Sequence, residues 1–195
     1  MKALVIVDMQ YDFLPGGRLA VPQGDEIIGV INAIQKNYDV VVATQDWHPA
    51  DHHSFISQHP GQHAYDTIML HGLKQVLWPD HCVQGSVGSD LVAELDTLSV
   101  AAIFRKGMDR HIDSYSGFFD NGHLMDTGLA GYLHAKGVKE VHVCGLAADY
   151  CVFFTAVDSL EAGFETRILL DATRAIDPIK LKEKLDVFRA KGGKI

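Results

Sequence analysis

Five short apolar runs, rich in β-branched residues, recur along the chain: Ala3–Val7, Val40–Ala43, Val100–Phe104, Val141–Cys144 and Thr166–Leu170. Each is soon followed by a polar residue or a glycine: Asp8, Asp46, Lys106, Gly145 and Asp171. A strand that is apolar at every position, rather than at alternate ones, must be covered on both faces, as parallel strands are. Helical patterns lie between the runs. Ile27, Ile28, Val30, Ile31 and Ile34 recur at helical spacing, and a second pattern runs from Asp126 to Lys136 and closes at Gly137. A third carries Val152, Phe153, Ala156, Val157 and Leu160 on one face and stops at Gly163. The last begins at Asp177-Pro178, an N-cap followed by proline at the first helical position. Alternating strands and helices predict an α/β fold of three layers, a mainly parallel twisted sheet with helices on both faces. No repeat or Pro/Gly/Ser-rich linker divides the chain, so residues 1–195 are read as a single domain.

The pattern lapses between residues 46 and 99, where a helix is expected only around Ser89–Leu95. Residues 46–85 read as a long functional loop inserted after the second strand. Seven of the 11 histidines fall between positions 48 and 81 of this stretch. The net charge of −8 offers no general attraction to nucleic acid or anionic lipid. The apolar run after Met1-Lys2 is too short for a signal peptide, and no segment approaches the ~20 apolar residues of a membrane span. Three cysteines, Cys82, Cys144 and Cys151, make a disulfide framework improbable and suit a reducing cytoplasm.

Ligands of open parallel sheets bind beyond the carboxyl ends of the strands. Asp8, Asp46-Trp47-His48, Arg105-Lys106 and Gly145-Leu146-Ala147-Ala148-Asp149-Tyr150-Cys151 follow four of the strands and so meet at one rim. Cys151 reads either as a buried small hydrophobe or as a nucleophile. For the second, it falls at the first turn of a predicted helix, where free N–H groups, helped by Lys106, favour a thiolate. Backbone N–H groups of the Gly-Leu-Ala-Ala approach would stabilise an oxyanion there. Asp8 reads as a structural ion-pair or cap residue, or as the base that takes the thiol proton while Lys106 holds its carboxylate. Asp46 and His48, two apart in extended chain, share a side, and His81 could complete an Asp/His/His metal set with open positions. His52 or His53 could add a ligand. Cys144 reads as core, Cys82 is undecided, and His59, His63 and His71 read as solvated loop residues.

Six ordered blocks then carry a resemblance. They are Ala3–Phe13 with Gly16-Gly17, Thr44–Pro49, Trp78–Gln84, Phe104–Gly107, Asp113–Ser116 and Gly145–Val152. Over nearly its whole length the chain resembles the nicotinamidase/pyrazinamidase branch of the isochorismatase-like cysteine hydrolases. The resemblance implies an isochorismatase-like fold with Asp8, Lys106 and Cys151 as the triad. It implies Asp46, His48 and His81 as ligands of one divalent metal ion, Zn²⁺ before Fe²⁺ or Mn²⁺, with His52 as the better-aligned fourth ligand. Phe13, Trp78, Tyr115, Ala147 and Tyr150 would line a pyridine pocket. The N–H groups of Ala147 and Cys151 would form the oxyanion hole, and the Leu146–Ala147 peptide would be cis. Ala148 departs from the Thr of many relatives. The activity implied is hydrolysis of nicotinamide, and of pyrazinamide, through a thioester in NAD salvage. The alternatives are another small-amide hydrolase of this fold or a non-catalytic metal-binding protein. The expected partner is the small-molecule substrate, with no nucleic acid and no membrane. A homo-oligomer is left open.

Overall fold

The structure, a computed structural model, describes residues 1–195. Seven strands occur, β1 (Lys2–Val7), β2 (Val40–Asp46), β3 (Thr67–Leu70), β4 (Leu73–Val76), β5 (Val100–Lys106), β6 (Glu140–Gly145) and β7 (Glu165–Thr173). Four α-helices, α1 (Ile28–Ile34), α2 (Leu129–Ala135), α3 (Phe153–Glu161) and α4 (Pro178–Ala190), complete the frame. Five strands form one parallel sheet in the order β5-β2-β1-β6-β7. The pleat of β1 divides the core. Ala3, Val5 and Val7 pack with Leu129 and Leu133 of α2, Phe153 and Ala156 of α3, and Leu185 and Phe188 of α4. Leu4 and Ile6 pack on the other face with Ile28 and Ile31 of α1 and the preceding Ile27. Both faces of β1 are buried, which is why its sequence does not alternate.

Two strands run further than the apolar pattern predicts. β2 and β5 continue through Asp46 and Lys106, which are partners in the ladder. The polar residues can stay in the strands because each finds a partner there. Thr44 Oγ1 donates to Asp8 Oδ1 at 2.6 Å, Gln45 Oε1 accepts from Arg105 Nε at 3.0 Å, and Lys106 Nζ donates to Asp46 Oδ1 at 2.8 Å. Strand β7, at a sheet edge, likewise passes through the exposed Asp171 to Thr173.

The helix expected around Ser89–Leu95 does not form. That backbone is used by the segment after β1: Asp90 O accepts the Tyr11 N–H at 3.3 Å, and Leu91 bridges to Gln10. Only a 3₁₀ turn, Val87–Ser89, precedes it. The inserted loop is not wholly irregular, since β3 and β4 pair as an antiparallel hairpin. α3 also starts later than its apolar stripe suggests, because Ala148–Val152 form a wider π-helical turn with Val152 N–H donating to Ala147 O at 3.1 Å. Asp177 caps α4, accepting from the N–H groups of Ile179 and Lys180 at 2.9 and 3.2 Å. No helix is long and apolar enough to cross a membrane.

Candidate active site

Asp8, the first residue past β1, sits at φ +48°, a left-handed conformation uncommon outside glycine. Its carboxylate is fully buried. Oδ1 is held by Thr44, while Oδ2 lies 2.9 Å from Lys106 Nζ and accepts no other bond. The ammonium has three short partners, Asp8, Asp46 Oδ1 at 2.8 Å and Ser114 O at 2.9 Å, and stands 3.6 Å from Cys151 Sγ. Asp8, Lys106 and Cys151, separated widely in sequence, thus meet in one buried cluster.

Burial and position set the charges. Burial pushes the Asp8 carboxyl above its usual range, outweighing the nearby Lys106. Asp46 is held well below that range, because His48 and Lys106 more than offset its burial. Lys106 is held well above its ordinary value, since Asp46 and Asp8 overcome the cost of burying it. The surroundings of Cys151 oppose the thiolate expected from sequence. Burial pushes the Cys151 thiol well up; the Lys106 ammonium lowers it, and the carboxylates of Asp8 and Asp46 raise it. The residue also lies in the π turn rather than in the first turn of a helix.

The Leu146–Ala147 peptide is cis, as the resemblance implies. Tyr150 N–H and Val152 N–H both turn back to Ala147 O, at 3.1 Å each. The Ala147 N–H itself donates to no group of the chain, so it is free for a ligand.

Asp46, His48 and His81 form a second cluster, with one ligand atom of each within 4.8 Å of the others. His48 Nδ1 lies 2.9 Å from Gly107 O, and His81 Nδ1 lies 2.8 Å from Pro79 O. A carbonyl only accepts, so both Nδ1 atoms carry the proton and both Nε2 atoms present lone pairs. Those lone pairs face Asp46 Oδ2 at 3.1 and 3.5 Å, and His48 Nε2 is buried with no hydrogen-bond partner. Three acceptors turned toward one another favour a cation between them, either a proton on His48, whose pKa Asp46 raises against the effect of burial, or a metal ion, and backbone-anchored imidazoles are how metal ligands are oriented. The residues fit a divalent metal. Gly107, at φ +66°, makes the approach of its carbonyl possible, since a Cβ there would overlap the His48 ring.

His52 falls in an adjoining set with His48 and Asp113, whose ligand atoms also lie within 4.8 Å of one another. Its ring packs 4.4 Å from that of His48, and its Nδ1 accepts the Ser54 N–H at 3.2 Å. Ser54 Oγ also lies 2.7 Å from that nitrogen, and Nε2 is buried and unpartnered. Burial, reinforced by His48, lowers its pKa to about 4. His53 turns away toward solvent.

One pocket of about 330 Å³, counting its mouth, joins the two clusters. Asp46 and His81 line it together with Cys151 and Ala147, and Phe13, Trp78, Tyr115 and Tyr150 wall it. Trp78 and Tyr150 meet edge to face at 4.8 Å, and Trp78 Nε1 donates to Tyr115 Oη at 3.2 Å. Every pocket residue named from sequence lies here. Sequence reasoning missed Leu19, Asp113 and Ile176, which line it too.

It also missed the residues that hold the site in place. Gln10 clamps Asp46 from both sides, accepting its N–H and donating to its carbonyl, each at 2.8 Å. Asp12 Oδ2 accepts the Cys82 N–H at 2.7 Å, which fixes the residue next to His81 and gives Cys82 a structural place. Asp149 accepts the N–H groups of Ile176 and Asp177 at 2.9 and 3.0 Å, bringing Ile176 to the pocket. The polar residues inside the Ala3–Phe13 and Gly145–Val152 blocks were the available signal. Cys82, Cys144 and Cys151 are all buried and free.

Comparison with known proteins sets this geometry in context. The model of the isochorismatase domain matches residues 2–195. A nicotinamidase of Acinetobacter baylyi is 47% identical over 175 residues, covering 90% of this chain and 82% of that protein. A solved nicotinamidase/pyrazinamidase of Acinetobacter baumanii superposes with a TM-score of 0.96 at 43% identity, over 99% of this chain and 94% of that one. The pyrazinamidase of Pyrococcus horikoshii, solved in complex with zinc, superposes with a TM-score of 0.82 at 38% identity, over 100% and 97% of the two chains. With the matched model spanning nearly the whole sequence and the sheet, loop and rim arranged as described, this chain belongs to the isochorismatase domain family.

Proposed function

We propose that residues 1–195 act as one hydrolase domain that converts nicotinamide and water to nicotinate and ammonia. The observation that carries this reading is the shared pocket, where a buried Cys/Asp/Lys cluster and an Asp/His/His set flank an aromatic slot. The nicotinamidases and pyrazinamidase similar to this chain support the substrate class. Free cysteines suit a reducing cytoplasm, where NAD salvage would use the product.

Phe13, Trp78, Tyr115 and Tyr150 hold the pyridine ring and exclude water from it. Asp8 takes the Cys151 proton and the sulfur attacks the carboxamide carbon. The N–H groups of Ala147 and Cys151 receive the developing oxyanion. Asp8 returns the proton to the departing ammonia and then accepts one from the water that cleaves the thioester. Lys106 keeps Asp8 in place and offsets the charge moving between oxygen and sulfur. Asp46, His48 and His81 would hold the divalent ion, which when bound supplies a Lewis-acidic anchor for the ring nitrogen; the zinc-bound pyrazinamidase and the N/O donor set support Zn²⁺ ahead of Fe²⁺ or Mn²⁺.

A coupled ammonia assay over nicotinamide, pyrazinamide and N-carbamoylsarcosine tests the assignment. Turnover of the first two and none of the third is expected. A preference for N-carbamoylsarcosine would move the protein to another amidase class.

The base has its own test. Thr44 Oγ1 donates to Asp8 and lowers its pKa, so Thr44→Val is expected to move the acid limb of the kcat/KM profile to higher pH. An acid limb that stays put or moves down would remove Asp8 as the base.

A further inference from the structure

Outside the pocket, three more histidines converge from three separate segments. His53 lies in the loop after β2, His71 in the turn between β3 and β4, and His111 in the loop after β5. His53 Nδ1 is 3.0 Å from His71 Nε2. The ring centroids are 5.2 Å apart for His53 and His71, 4.7 Å for His53 and His111, and 5.1 Å for His71 and His111. One ring nitrogen of each lies within 4.8 Å of the other two. Three nitrogens bound tetrahedrally at about 2.0–2.1 Å from one zinc ion are roughly 3.3 Å apart, so small rotations bring this set to ligand spacing.

We propose that His53, His71 and His111 form a second metal site, open to solvent, for a first-row divalent cation of the zinc type. Its ligands are all imidazole, which suits Zn²⁺, Ni²⁺ or Cu²⁺ and not Mg²⁺ or Ca²⁺. The backbone around it is already fixed. His53 N–H donates to Arg110 O at 2.8 Å, and His59 Nε2 donates to His53 O at 2.7 Å. His71 occupies φ +49°, a left-handed position that histidine tolerates better than most residues, and this conformation sets its place in the hairpin turn. The neighbouring positive charge of Arg110 is paired with Asp51 at 3.0 Å, which lowers its repulsion of an incoming cation. The buried Asp46/His48/His81 set shares none of these ligands. A cation here would tie the β3–β4 hairpin to both loops that border the pocket.

The test is metal stoichiometry of the holoprotein, by elemental analysis and Zn²⁺ calorimetry. The wild type is expected to bind two zinc equivalents and His71→Asn only one, with His111→Ala behaving alike. Asparagine keeps the left-handed turn, so loss of the second equivalent reports the missing imidazole rather than an altered fold. Zn²⁺ added beyond the first equivalent should raise the Tm of the wild type and not that of His71→Asn. One equivalent in the wild type, or two in both variants, would overturn the proposal.

Discussion

Cys151→Ala is expected to release ammonia from nicotinamide at least about 10⁴-fold more slowly than the wild type, a loss of the size seen when a nucleophile is removed. Fold and metal content should be unchanged. The structure explains why the effect should be confined to chemistry. The Lys106 ammonium has its three short contacts with Asp8, Asp46 and Ser114, and the sulfur is a more distant neighbour at 3.6 Å. Removing the sulfur therefore leaves the ion pairs and the imidazole set standing. Kinetics, circular dichroism and elemental analysis on one preparation check all three points. A variant with full turnover would end the covalent proposal, whereas one that lost its metal as well would show that the two clusters are less separable than their contacts suggest.

Lys106→Met should fail differently, in stability as well as in rate. The substitution leaves Asp8 and Asp46, both buried, without the cation that pairs them. Breaking a buried pair from one side costs about 3–5 kcal/mol. For a chain of this length each kcal/mol lowers the Tm by roughly 2–4 °C. The loss should depend on pH. Asp46 is held below its usual range, so the stability it contributes is present above the unfolded carboxylate value and fades as pH falls. Without the ammonium both carboxyls would take up protons more readily, so the wild-type and variant melting curves should draw together in acid. Thermal melts at neutral and acidic pH check this, and a variant with wild-type Tm at neutral pH would contradict it.

The sheet could be read from sequence because β1, β2 and β6 are covered on both faces, and an unbroken β-branched run is the direct trace of that burial. The edge strand β5 carries the same kind of run although one of its faces, with Ile103, is exposed. The rim could be read because each strand ends close to a chemically active residue. Where β2 and β5 end could not, since Thr44, Gln45 and Arg105 look like turn residues until their partners on other segments are known. Nor could the supporting carboxamide and carboxylates. Gln10 acts on Asp46, Asp12 on Cys82 and Asp149 on Ile176, each through backbone groups far away in sequence that leave no local pattern. The electrostatic surroundings of Cys151 were hidden for the same reason. Its helix-end position is local information, while its burial and the two carboxylates are not. His71 looked incidental because its neighbours His53 and His111 lie 18 and 40 positions away.

Asp46 gives one oxygen to Lys106 and the other to the imidazoles, so the two halves of the site are linked through a single carboxylate. Linkage of this kind is reciprocal. Whatever draws Asp46 toward a cation loosens its hold on the ammonium, leaving more of that charge for Asp8 and the sulfur, and protonation of Asp8 feeds back on cation affinity by the same free energy. Loading the protein with different metals should therefore retune its acid–base behaviour as well as its rate, and a change of cation would read out as a change of pH profile.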